Sequence, residues 1–154
     1  MEAIISSAIA VLGTLLGAGI TLSFQQRTAT KGHQFARAER LRQERLDAYS
    51  TYAGSLINYR RCLVHLWFCL HEQPPPEGPD EVRIRAYDLR SSAQEALFRA
   101  QMLTDDVRLS RDAEEVLAKV TALYKIDTRE ELDDQRNDTR DAIRRLVMTA
   151  KRHL

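Results

Sequence analysis

Apolar and polar positions along the chain fall into two regimes. From Ala3 to Phe24 the sequence AIISSAIAVLGTLLGAGITLSF holds no charge over 22 positions, and the chain then turns abruptly basic. Up to Tyr49 the stretch is mostly Arg, Glu, Gln and Ala, and from Tyr49 onward apolar residues recur three and four apart, the repeat of a helix burying one face. No proline falls between Thr28 and Glu72, and this stretch is predicted as one long helix. Tyr49, Tyr52, Leu56, Tyr59, Leu63, Leu66 and Leu70 form its packing seam. Trp67 and Phe68 add core or interface anchors, and Gly54 is expected to mark close packing.

The segment QPPPEGPD, residues 73–80, cannot continue a helix and reads as an exposed connection. A second helix is predicted over about 80–104, with Val82, Ala86, Leu89, Ala93, Ala96, Ala100 and Leu103 as its stripe. Leu97, Phe98 and Met102 broaden that face. A third lies within 104–126, carrying Val107, Leu109, Val116, Leu117, Val120, Leu123 and Tyr124, with Asp105 or Ser110 as its cap or divider. Asp127 and Thr128, followed three residues on by Glu130 and Glu131, mark a fresh helix start. That last helix carries Leu132, Ala142, Ile143, Leu146, Val147 and Ala150. The expected fold is all-α: a single N-terminal transmembrane helix (1–24), a long basic stalk helix (25–48) and an antiparallel helical bundle (49–154). The first long helix is expected to pair with the second across the proline turn.

The uncharged segment admits three readings: a membrane span, a cleaved secretion signal or a buried soluble helix. A bilayer core about 30 Å thick needs about 20 helical residues, and 22 are present. A secretion signal wants a positive start and a shorter apolar core, whereas the one charged side chain before this core is Glu2. A span is therefore expected. Charge then sets its direction. Between Gln25 and Arg61 there are eight Lys/Arg against three acids, and from Cys62 onward 15 basic against 18 acidic residues. Arg27, Lys31, Arg37, Arg40 and Arg42 follow the span closely and none precedes it, which places the N-terminus outside and the C-terminus in the cytoplasm of a bacterial inner membrane. The same side chains suit anionic headgroups at the membrane surface. Within the span, Gly13 and Gly17 make a G-x-x-x-G that Ser6, Ala10 and Thr21 extend along one face. Such a stripe lets two helices approach closely, so a homo-oligomer is expected.

Candidate chemistry is sparse. Cys62, His65 and Cys69 share one helix face at spacings of three and four, but a structural zinc site wants four ligands and no second pair follows. The cysteines are about 10 Å apart along a helix, too far for a bridge, so a reducing compartment fits. REELDDQRNDTRD alternates acids with arginines as a solvated, salt-bridged face does. No nucleophile triad or phosphate-cradling glycine loop can be placed. No enzyme activity, metal or cofactor is expected, nor a polar constellation for a small-ligand sensor. The basic stalk would hold phosphates without sequence preference, yet its place beside the span accounts for it without nucleic acid.

The stretches AVLGTLLG, FQQR, ERLRQERLDAYSTYAG and RRCLVHLW together resemble the KilB-type proteins of actinomycetes, over roughly residues 8–67. Those are small membrane-associated proteins linked to plasmid spread between mycelial compartments. The resemblance implies a role in conjugative plasmid spread, with a membrane-bound DNA translocase as a plausible neighbour, and carries over no catalytic residue. The expected function is a non-enzymatic single-pass membrane scaffold that recruits a cytoplasmic partner. The alternative is a membrane-perturbing effector acting through its span.

Overall fold

A computed structural model describes the backbone of residues 2–153 and the side chains of residues 35–152. In chain order the helices are α1 (Glu2–His71), α2 (Pro79–Met102), α3 (Val107–Ala122) and α4 (Arg129–Ala150), with single 3-10 turns at Leu123–Lys125 and Lys151–His153. Among the described residues there is no strand. The chain divides into two compact units, Met1–Leu41 and Arg42–Leu154.

In the first unit the backbone is helical. The side chains of residues 3–24, read above as a span, lie outside the described residues. So do those of Ser6, Ala10, Gly13, Gly17, Thr21, Arg27 and Lys31. Among the described residues no helix is long and apolar enough to cross a membrane. Arg37 and Arg40 of this unit, and Arg42 at the start of the next, are exposed.

The second unit is an up-down-up-down four-helix bundle. Asp47 meets Arg99 at 3.1 Å while Cys62 Sγ lies 3.7 Å from the Val82 carbonyl, so α1 and α2 run antiparallel as expected. Gln101 reaches Glu114 at 2.6 Å across α2 and α3, and Lys119 reaches Asp138 at 2.6 Å across α3 and α4. Arg60 of α1 bonds Thr139 of α4, closing the ring of neighbours. Tyr52 Oη donates to the Ala113 carbonyl at 2.7 Å, and Trp67 Nε1 to the Ile126 carbonyl at 3.0 Å, tying α1 to α3 through the middle. The fully buried side chains Tyr52, Leu56, Leu66, Val82, Leu109, Val120, Leu123 and Leu132 meet in one core. Burial stabilises such a bundle by about 1.5–3 kcal/mol for each large apolar side chain.

The ends of the helices follow local chemistry. Pro79 opens α2, where its missing N–H costs nothing. Asp106, rather than Asp105 or Ser110, caps α3: its Oδ1 accepts from the amides of Arg108 (2.8 Å) and Leu109 (3.1 Å). Thr128 caps α4 by accepting from the Glu131 amide at 3.3 Å.

Four expectations are corrected. Leu70 is 43% exposed, because it lies on the last turn of α1, past the level where Val82 meets Cys62 and Ile126 meets Trp67. Phe98 and Met102 are 53% and 80% exposed, so the buried stripe of α2 is the narrower one of Val82, Ala86, Ala93, Ala96, Leu97 and Ala100. Val107, the first residue of α3, is 81% exposed, and Tyr124 and Val147 are also largely exposed. A Cβ built on Gly54 would meet nothing within 4 Å, so this glycine opens a groove instead of marking close packing.

Candidate functional site

Six of the seven seam residues, Tyr49, Tyr52, Leu56, Tyr59, Leu63 and Leu66, are buried inside the bundle, as is the anchor Trp67. They hold the core, and only Tyr49, Tyr59, Leu63 and Leu66 among them also edge a surface cavity. Burial, then the Glu114 carboxylate, raises the Tyr52 hydroxyl pKa far above its ordinary value, so it stays a neutral donor. Two surface cavities lie beside this seam.

One is a groove of about 610 Å3 between α1 and α4. Ala53 and Gly54 form its floor, Leu46 and Ile57 rise on the α1 side, and Val147 rises on the α4 side. Leu46, Ile57 and Val147 are each between 44% and 51% exposed, an apolar strip in water. The charged residues lining it are Arg42 and Lys151, and no carboxylate does. Arg140, Arg144 and Val147 follow at spacings of four and three on one face of α4, and Lys151 comes four residues on, in the 3-10 turn that ends it. The groove is thus apolar within and positive at its edge.

The second is a pocket of about 380 Å3 among α1, α2 and the end of α3. Tyr59, Leu63 and Leu66 come from α1, and Arg83, Ala86, Tyr87 and Arg90 from α2. Thr121, Tyr124 and Lys125 close it, again without a carboxylate among the lining residues. Burial pushes the Tyr59 hydroxyl pKa up, against the pull of Thr121 and of the Arg90 guanidinium nearby. Arg83 spends one nitrogen on Asp80 at 2.8 Å, while its Nε is buried without a partner. Sequence reading missed this set because three separate segments supply it. The signal present was the spacing of Arg83, Tyr87 and Arg90, four and three, on one face of α2.

The cysteine and histidine group is structural in its geometry. Cys62 and Cys69 are buried and free of any disulfide. Cys69 Sγ lies 3.6 Å from His65 Nε2, which also meets Glu77 Oε2 at 3.0 Å. Glu77 is shared with Arg85, so the proline-rich connection is clamped to both helices it joins. His71 stacks on Trp67 with centroids 4.3 Å apart. Among the described residues no three His, Cys, Asp or Glu side chains gather as metal ligands.

No curated protein and no solved structure matches the chain. A model of the KilB plasmid transfer protein family matches residues 46–154, which takes in the bundle from Leu46 onward. Of the stretch 8–67 that carries the resemblance in the sequence, only 46–67 falls within this match. The match extends over α2, α3 and α4, so the family likeness rests chiefly on the bundle. The chain belongs to the KilB plasmid transfer protein family.

Proposed function

We propose that this chain serves plasmid transfer as a non-enzymatic adaptor, anchored in the inner membrane by residues 3–24 and holding a cytoplasmic partner against its bundle. The observation that carries the reading is the apolar groove between α1 and α4 in the family-matched unit. Its occupant is an acidic amphipathic helix of another protein. Apolar anchors three and four apart would fill the floor at Ala53 and Gly54, and carboxylates would meet Lys151, Arg144 and Arg140. A second copy of the bundle would bring like charges to the same edge, which disfavours self-docking there. Self-association belongs instead to the Gly13–Gly17 stripe of the span.

The test is plasmid spread in cells that carry the intact chain, the chain lacking residues 3–24, or Gly54→Leu. The reading expects both altered chains to accumulate but fail in transfer. Full transfer without residues 3–24 would remove the anchor. Full transfer with the groove filled would remove the docking surface. Labelling of an introduced C-terminal cysteine by an impermeant reagent added to intact cells would overturn the orientation.

A further inference from the structure

Beyond partner docking, we infer that the pocket among Tyr59, Arg83, Tyr87, Arg90, Tyr124 and Lys125 binds a small aromatic anion, a planar ring carrying one carboxylate-like group. Four observations converge on it. The cavity, about 380 Å3, falls at the small end of the roughly 300–1,000 Å3 that small-molecule sites occupy. Its lining joins three basic side chains to three tyrosines and to Leu63, Leu66 and Ala86, with no carboxylate. Arg90 and Lys125 have no ion-pair partner among the described residues. Arg83 uses one nitrogen on Asp80 and keeps a buried Nε without one.

The arrangement suits this ligand class and disfavours others. The charges of Arg90 and Lys125, beside an apolar wall and with no carboxylate in the lining, favour an anion over a neutral or cationic guest. A guanidinium offers a paired donor fork to a planar acid group. Tyr87 and Tyr124, 63% and 54% exposed, stand as aromatic faces at the mouth, while the buried Tyr59 hydroxyl lies deeper, near Thr121 and Arg90. Stacking on the outer rings would hold the flat part of the guest. A bare inorganic anion would leave Leu63, Leu66 and the tyrosine faces unused. Since α1, α2 and α3 all contribute, an occupied pocket would bind their ends together, away from the α1–α4 groove.

The test titrates the full chain in detergent micelles with naphthalene-2-carboxylate and, separately, with the uncharged naphthalene-2-carboxamide, subtracting the signal of empty micelles. Tyrosine ring resonances report the site. The carboxylate should saturate one site per chain and shift Tyr59, Tyr87 and Tyr124, leaving Tyr49 and Tyr52 in place. The carboxamide should bind at least about tenfold more weakly, as loss of a charge-assisted contact demands. Arg90→Gln with Lys125→Gln should reduce carboxylate affinity to that of the carboxamide. Both positions are exposed, so the bundle should tolerate the change. The comparison of the two probes on the unaltered chain needs no variant at all. Equal affinity for the two probes, shifts spread evenly over Tyr49 and Tyr52, or no saturation by about 10 mM carboxylate would each overturn the assignment.

Discussion

Arg60 and Thr139 bridge α1 and α4 through a single bond: Arg60 Nε donates to Thr139 Oγ1 at 3.0 Å. Thr139, 0% exposed, is the buried polar residue among the described residues, and its own hydroxyl donates to the Gln135 carbonyl at 2.6 Å. Arg60 Nη2 donates to the Arg136 carbonyl at 2.6 Å. Burial, then the neighbouring Arg136 and Arg140, lowers the guanidinium pKa, so this cation depends on its acceptors. Thr139→Val keeps the shape but leaves Nε–H without an acceptor, and should destabilise the bundle by about 1–3 kcal/mol. Arg60→Met combined with Thr139→Val should recover part of that loss, because no donor is then left unpaired. Denaturant unfolding followed by emission of Trp67, the chain's one tryptophan, measures both. A neutral Thr139→Val would show that water takes the place of the hydroxyl.

Repetition made the helices legible in the sequence. The three-and-four spacing of Tyr49, Tyr52, Leu56, Tyr59, Leu63 and Leu66 located the buried face of α1, and the prolines at 74–76 located its end to within a few residues. The start of α4 at Asp127 and Thr128 was legible because capping chemistry is local, and the structure gives the cap to Thr128. What stayed hidden depends on where neighbours begin and end. Leu70 continues the repeat but has no helix opposite it. Gly54 looks the same in sequence whether a neighbour crowds it or leaves it open. Thr139 carries no mark of burial, since its partner Arg60 is 79 residues away. The cationic pocket was hidden for the same reason, its residues being held together only by the bundle.

Trp67 closes the lower end of the core. Its Nε1 donates to the Ile126 carbonyl at 3.0 Å, and its ring lies edge-on to Phe68 at 5.4 Å and flat on His71 at 4.3 Å. Arg129 sits over Phe68, 4.8 Å from the ring centre. Trp67→Phe should cost about 1–3 kcal/mol, through the orphaned Ile126 carbonyl and lost ring area. Leu70→Ala, on the exposed turn just beyond, should change stability by less than about 0.5 kcal/mol. Circular dichroism melts of the two variants decide the order. A larger loss for Leu70→Ala would mean that something covers that turn.

The Glu77 clamp gives the proline connection an acid-sensitive hold. Its carboxyl is held below the ordinary carboxylate range, first by the hydrogen bond from Arg85 and then by His65. A depressed carboxyl contributes stability above its unfolded pKa and loses it as pH falls through its folded value. The unfolding midpoint should therefore fall between about pH 5 and about pH 2, and more steeply in the native chain than in Glu77→Gln. The site is solvated, so the difference should be small and should shrink further in high salt. Parallel curves for the two proteins would show that the clamp adds nothing.

The groove can be tested apart from the fold because Gly54 faces open space. Gly54→Ala places a methyl group where no atom other than its own helix backbone lies within 4 Å, and improves helix propensity. It should stabilise the bundle by about 0.5–1 kcal/mol. Gly54→Leu should keep most of that gain while filling the floor between Ile57 and Val147. Lys151→Glu with Arg144→Glu reverses the charge at the edge and leaves the floor open. Protein captured with the intact chain from cell extract, read by mass spectrometry, should be lost in Gly54→Leu. With the charge reversal its capture should become weaker and less dependent on salt. The melting temperature of each variant separates loss of contact from loss of fold. If a partner captured by the native chain were held equally by both groove variants, the contact would have to lie on another face of the bundle.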